Sequence, residues 1–184
     1  MSRLLIPASV DASPESSRAS LQAVAKSLGS VPNLFRLVAN SPAALKGYLG
    51  LGAAVSASSL GVKTQERIAL AVAEINGCDY CASAHTYLGR NVAKLDDAEI
   101  TANRNGSSND PKAAAAVRFA AQVVKDRGHV GAEELNAAKA AGLTDAALID
   151  IVLAVALNTF TNFVNEVAKT DIDFPVVTTR RSLA

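Results

Sequence analysis

Cys78, Cys81 and His85 are the residues of this 184-residue chain whose types and spacing suit chemistry together. On a helix they fall at i, i+3 and i+7, which sets all three side chains on one face. A thiol reacts as its thiolate, and a helix N-terminus lowers a cysteine pKa through its unpaired amide N–H groups and the macrodipole. Asn76-Gly77 supplies a helix stop, because both residues tolerate the left-handed conformation. A new helix then starts at about Cys78, with Cys81 one turn in and His85 placed to accept the Cys81 proton. Asp79 works against the thiolate through its negative charge.

Two carboxylates precede this group. Glu66 meets His85 only if its helix and the cysteine helix fold back as an antiparallel hairpin, which the tight Asn76-Gly77 connection allows. Glu74 competes for the same role, because it stands only four residues before Cys78. Tyr80, directly before the second cysteine, donates a hydrogen bond but is a poor base near neutral pH. Each residue also has a plainer reading. The cysteines serve as two small buried hydrophobes, Glu66 as a first-turn acid favoured by the helix dipole, and Glu74 as a surface carboxylate. Cys78, Cys81 and His85, with Glu66 as a fourth ligand, also form a zinc set by residue type, although structural zinc usually draws ligands from two separated knuckles. His129, after Gly128, reads as a solvated loop residue, and Asn158 and Asn162 as polar groups satisfying a helix contact.

The run from Glu66 to His85 resembles the alkylhydroperoxidase D-like (AhpD-like) group of the carboxymuconolactone decarboxylase superfamily. The pattern of that group is a glutamate, eleven residues, then Cys-x-x-Cys-x-x-x-His, and Glu66, Cys78, Cys81 and His85 fall on it without a gap. Val31-Pro32-Asn33-Leu34-Phe35 and Leu157-Asn158-Thr159-Phe160-Thr161-Asn162 extend the likeness to members labelled peroxidase-related, covering the chain from about residue 29 to about residue 168. The resemblance implies an all-α AhpD-like bundle, a homo-oligomer (trimer or hexamer), and a thiol-dependent peroxidase that reduces organic hydroperoxides. Its roles carry over residue by residue: Glu66 orients His85, His85 takes the thiol proton, and Cys81 attacks the hydroperoxide. Cys78 then condenses with the sulfenic acid to a disulfide, which an external dithiol opens at an exposed Cys78. No cofactor and no metal are implied. The best-known members carry a second histidine where Tyr80 stands, so the proton relay is simpler here and the reductant need not be the lipoyl adaptor some members use. Two alternatives stand beside this reading. One is a carboxymuconolactone decarboxylase-type enzyme, whose chemistry does not need adjacent thiols; the other is a non-enzymatic helical oligomer with a redox-sensitive disulfide.

Composition bounds the remaining classes. A formal net charge of +1 gives no reason to expect nucleic acid or an anionic membrane surface as a partner. Two closely spaced cysteines cannot staple distant parts of a fold and suit a reducing, cytoplasmic compartment. Met1 to Pro7 holds too short an apolar run for a secretory segment, and Ile151 to Leu157 too short a run to span a bilayer.

The elements that must position the group read as helices. Ser13-Pro14, Ser41-Pro42 and Asp110-Pro111 open helices, Gly29, Gly128 and Gly142 close them, and Thr144 caps the longest and most apolar one. The pattern predicts one all-α domain of about seven to eight helices, with an extended arm over 1–12 that either lies on another subunit or is mobile, and a tail over 170–184. Pro175 to Thr179 is the one segment with strand-like alternation. Gly47 and Gly50, inside their helix, predict close approach of a neighbouring backbone. Leu60 to Ala73 and Leu143 to Ala156 align without gaps around Leu-Ala-Val-Ala, the echo a duplicated helix pair produces. In the second copy Glu66, Cys78, Cys81 and His85 correspond to Ile149, Thr161, Val164 and Ala168. The Ala- and Leu-rich helices over 42–56 and 145–169 carry more apolar surface than one small subunit buries, which predicts oligomerisation.

Overall fold

The computed structural model describes residues 2–180. Among the described residues there are nine α-helices and no strand: α1 (Glu15–Leu28), α2 (Asn33–Val38), α3 (Pro42–Ser56), α4 (Val62–Asn76), α5 (Asp79–Asn91), α6 (Asp97–Arg104), α7 (Pro111–Lys125), α8 (Ala132–Ala140) and α9 (Asp145–Ala168). The class is all-α. The count is one above the expected seven to eight; α2 and α6 are the shortest helices, α6 with its own Asp96 cap on the Glu99 amide.

α4 is the centre of the packing. Every residue from Arg67 to Glu74 is buried, and α5, α6, α7 and α9 all pack against this one helix. Ala69, Ala71 and Ala73 keep the helix thin enough for neighbours to approach on all sides, while Ile68, Leu70 and Val72 fill the space between them. A helix apolar around most of its circumference is stable only when surrounded in this way. On one side Ile68 and Val72 join Ala120 and Val123 of α7 and Ile151 and Val155 of α9. On the other, Leu21, Leu34, Val38 and Leu45 close over Ala73, Tyr80 and both cysteines.

α9 is long and apolar enough, by length and composition, to cross a membrane. In this fold Leu148, Ile151, Ala154 and Val155 enter the core, as do the polar Asn158, Asn162 and Asn165, while Ile149, Phe163 and Val167 are exposed on the opposite side. The sequence echo with α4 does not extend to a repeated helix pair. α4 stops at Gly77, whereas α9 runs unbroken through Phe160, the corresponding position, because no residue there favours the left-handed turn.

Several local expectations are corrected. Helix α1 starts at Glu15 with Pro14 in the cap position and no side-chain cap, since the Ser13 hydroxyl instead donates back to the Ser9 carbonyl. Gly47 and Gly50 face open space rather than a neighbouring backbone. The N-terminal arm lies on its own subunit: Arg3 N–H donates to the Ala168 carbonyl, Asn40 to that of Leu5, and Arg36 to those of Pro7 and Ala8. Pro175 to Thr179 forms no strand but a strap across α5, with Val177 bonded to the Ser83 hydroxyl and Thr179 to the Asp79 carboxylate. Residues 181–184 of the expected tail lie outside the described residues.

The corner between α4 and α5 turns on Gly77, whose φ of 71° lies in the left-handed region. A Cβ there is strained, at roughly 1–2 kcal/mol. Gly77→Ala is therefore expected to lower the urea midpoint by that amount of stability with an unchanged slope of the unfolding transition.

Candidate active site

Cys78 is the N-cap of α5. Its extended backbone (φ −95°, ψ 99°) turns Sγ back over the helix entrance, where it accepts the Cys81 N–H at 3.3 Å. Gly77 reverses the chain just before it, so α5 returns antiparallel along α4. That reversal brings Glu66, early in α4, beside His85, with His85 Nδ1 and Glu66 Oε2 2.9 Å apart. Cys81, one turn earlier on α5, receives a further hydrogen bond from Asn165 of α9, Nδ2 to Sγ at 3.3 Å.

Both cysteines are free thiols, and both are buried: Cys78 is 0% and Cys81 2% exposed. The exposed Cys78 implied by the resemblance is not found, because Leu34, Val38 and Leu45 close over the head of α5.

The pair divides its protons unequally. Burial pushes the Cys81 thiol up, but a hydrogen bond from Cys78, the charge of His85 and the amides of Asn165 and Asn162 outweigh it and bring Cys81 down to about 7. Cys78 is pushed up, first by its hydrogen bond to Cys81, then by burial and by the charge on Cys81. Cys81 is thus the thiolate and Cys78 the thiol that supports it. His85 loses basicity to burial, yet the Glu66 charge, the Glu66 hydrogen bond and the Cys81 charge raise it overall. The arrangement is a buried thiolate beside an imidazolium anchored by a carboxylate.

Glu74 does not join this group. It accepts from Arg104 Nε at 2.7 Å and from Arg180 through both N (3.0 Å) and Nε (2.9 Å). Burial would raise its carboxyl, but the Arg180 and Arg104 hydrogen bonds hold it below its ordinary value. Its work is to tie α4 to α6 and the strap. Tyr80 Oη accepts the Leu34 N–H at 3.1 Å, and its ring meets Phe174 edge-on with centroids 5.8 Å apart. Burial, chiefly, pushes this phenol further from the neutral range, so it positions α2 against α5 rather than moving protons. Asn158 donates to Ala154 of its own helix, and His129 is exposed in the loop after α7. Among the described residues no group of three or more His, Cys, Asp or Glu side chains is arranged to hold a metal ion.

Asn165 is the site contact that the sequence reading did not reach. Its signal was present, since Asn158, Asn162 and Asn165 stand at i, i+4 and i+7 of an otherwise apolar helix and so form one polar stripe. Asn162 closes the ring of contacts by accepting from Asn76 Nδ2 at 2.9 Å, at the end of α4.

Residues 42–126, from α3 to the end of α7, match the model of the Carboxymuconolactone decarboxylase family, and this span contains Glu66, Cys78, Cys81 and His85. An uncharacterized peroxidase-related protein with an alkylhydroperoxidase AhpD core, from Ralstonia eutropha JMP134, superposes with a TM-score of 0.81 at 25% identity, over 94% of this chain and 92% of that one. An uncharacterized peroxidase-related protein from Silicibacter sp. TM1040 gives a TM-score of 0.79 at 21% identity, over 92% and 91%. The debrominase Bmp8, as a cysteine-to-alanine variant in complex with 2,3,4-tribromopyrrole, gives 0.77 at 19% identity, again over 92% and 91%. No curated protein matches this chain in sequence. Residues 42–126 are thus similar to the Carboxymuconolactone decarboxylase family, and the chain as a whole shares the all-helical fold of these AhpD-core structures.

Proposed function

We propose that the protein is a thiol-dependent peroxidase that reduces organic hydroperoxides through Cys81 and Cys78. The observation that carries this reading is the arrangement on α5: Cys78 caps the helix with Sγ 3.3 Å from the Cys81 N–H, Cys81 Sγ accepts from Asn165 at 3.3 Å, and His85, one turn on, lies 2.9 Å from Glu66. Cys81 Sγ attacks the distal oxygen of ROOH; the S–O bond forms, the O–O bond breaks, and the alkoxide leaves with the proton of His85. Cys81 is then a sulfenic acid. Cys78 attacks it, the new S–S bond displaces hydroxide, and the Cys78 proton passes through His85 to make water. An external dithiol reduces the disulfide by exchange. With both sulfurs buried, that exchange requires local opening of the shell over α5. The apolar neighbours Leu34, Val38 and Tyr80 suit an organic peroxide better than a purely polar one. A homo-oligomer in a cytoplasmic, reducing setting fits this chemistry, and the exposed Ile149, Phe163 and Val167 of α9 are the surface we assign to assembly.

The test is consumption of cumene hydroperoxide with dithiothreitol as reductant, followed across pH. Thiol oxidation is expected to rise as pH passes through about 7 and then level, because the reactive form is the Cys81 thiolate. Glu66→Gln is expected to slow oxidation by roughly 10²-fold, since the imidazolium loses its anchoring charge and its orientation. A Glu66→Gln rate within twofold of the parent would remove the relay from the account.

The likeness to Bmp8 supports a second reading, reductive debromination of an aromatic ring. Two thiols supply the two electrons: Ar–Br and both S–H groups give Ar–H, bromide with a proton, and the disulfide. Bromide release from 2,3,4-tribromopyrrole, without hydroperoxide consumption, would favour it.

A further inference from the structure

Two buried amides of α9, about one turn apart, each keep a polar atom without a partner, and one of them, Asn165, reaches the reactive sulfur. Asn165 is 1% and Asn162 0% exposed, so neither is solvated. Asn165 Nδ2 donates to Cys81 Sγ at 3.3 Å, while its Oδ1 is buried without a hydrogen-bond partner. Asn162 Oδ1 is pinned by Asn76 Nδ2 at 2.9 Å, which leaves its Nδ2 buried, adding to the pull on the Cys81 thiol but making no hydrogen bond of its own. A buried amide group left unmatched in this way is costly and marks a site that a ligand atom or a reaction state completes.

We propose that Asn165 and Asn162 are catalytic residues that act as a donor pair for Cys81: Asn165 holds the thiolate sulfur, and the free Nδ2 of Asn162 receives the oxygen transferred to that sulfur. This deepens the peroxidase reading and rests on it for the second half of the statement only. The geometry suits the sequence of events. Before reaction the anionic sulfur needs donors, and Asn165 with the Cys81-facing thiol of Cys78 provides them. As the S–O bond forms and the O–O bond breaks, negative charge moves from sulfur to the departing alkoxide, which His85 protonates, and the new S–OH oxygen needs a donor of its own. Asn162, clamped to Asn76 beside the α4–α5 corner, is fixed before that oxygen arrives, so no reorganisation is needed during the step. The titratable groups around the sulfur are Cys78, Tyr80 and His85 of α5, Glu66 of α4 through His85, Tyr48 of α3, and Glu166 of α9 on the Cys78 side. Of these only His85 brings positive charge. The amides are therefore the donors that oppose the burial of an anion on the α9 side.

The test is the pH dependence of Cys81 alkylation by iodoacetamide, read at that residue by peptide mass spectrometry, in the parent, Asn165→Ala, Asn165→Asp and Asn162→Ala. Asn165→Ala is expected to move the midpoint up by about one pH unit, and the near-isosteric Asn165→Asp further, because a carboxylate replaces a donor. Asn162→Ala is expected to leave the midpoint nearer the parent's but to shorten the life of a dimedone-trappable sulfenic acid in a Cys78→Ser background by severalfold. Thermal melts identify any variant that fails to fold, and Ala and Asp then serve as substitutes for one another. Unchanged midpoints in both folded Asn165 variants overturn the assignment of Asn165, and an unchanged sulfenic acid lifetime overturns that of Asn162. Midpoints that shift in a protein consuming no cumene hydroperoxide uphold the thiolate half and overturn the peroxidase reading together with the role of Asn162.

Discussion

Cys81→Ser is expected to abolish hydroperoxide reduction, by roughly 10³-fold or more, whereas Cys78→Ser is expected to consume one equivalent and stop. The asymmetry follows from the proton distribution. Cys81 sits one turn into α5, beside His85 and Asn165, where the thiolate is stabilised against the cost of burial. A serine hydroxyl in its place stays protonated and has no comparable nucleophile to offer. Cys78, at the cap, is held protonated by the same field that favours the Cys81 thiolate, so its contribution comes after oxygen transfer. Without it, the sulfenic acid on Cys81 has no thiol to condense with. Dimedone labelling with mass spectrometry is expected to place a single adduct on Cys81 in Cys78→Ser and none in the parent. An adduct on Cys78 in Cys81→Ser, with turnover preserved, would reverse the assignment.

Glu99→Ala is expected to be the most destabilising single change away from the thiols, at about 3–5 kcal/mol. Glu99 and Arg67 are almost fully buried, with side-chain exposures of 8% and 9%, and Arg67 Nε donates to Glu99 Oε1 at 2.6 Å. Asn103 Nδ2 (3.0 Å) and the Asn109 amide (2.7 Å) add to the same carboxylate, as does the Ser108 hydroxyl. Removing the carboxylate leaves the Arg67 guanidinium with only the more distant Asp110, at 3.5 Å, inside a low-dielectric contact. Burial alone would raise the Glu99 carboxyl, but these bonds outweigh it and hold it at about 2, against an ordinary value of 4.5. A depressed folded-state pKa contributes stability that is fully present above the unfolded value and is lost as pH falls through the folded one. Parent stability is therefore expected to decline by roughly 3 kcal/mol between pH 5 and pH 2 from this group. Urea unfolding at pH 7 and pH 3 measures both effects. A Glu99→Ala protein losing less than 1 kcal/mol at pH 7, or one with the full acid decline of the parent, would contradict this account of the cluster.

The parts of the fold that were legible in the sequence are those set by local chemistry. Ser41, Asp110 and Thr144 each cap a helix with a side-chain hydrogen bond, and Gly29 and Gly77 end helices in the left-handed conformation. These need only neighbouring residues to act. The meeting of Glu66 with His85 was a conditional reading, and the Gly77 reversal is the local feature that creates the geometry for it. Glu74 was ambiguous because sequence distance from Cys78 is short while the chain reverses in between. Its partners, Arg104 and Arg180, come from thirty and 106 residues further on. The contact from Asn165 to Cys81 spans 84 positions and depends on how α9 crosses α5, which no periodicity encodes. The N-terminal arm was unreadable for the same reason. It has no period of its own, and its hydrogen bonds run to Arg36 of α2, to Asn40 just after it, to the end of α9 and to Asp171 beyond that helix.

The most direct measurement is a titration of the fully reduced protein with cumene hydroperoxide at pH 7.5, counting thiols and products together. The account predicts that one hydroperoxide removes two thiols per chain, yields one equivalent of alcohol, and leaves a Cys78–Cys81 disulfide in the peptide map. Both thiols surviving a molar excess of hydroperoxide would contradict it.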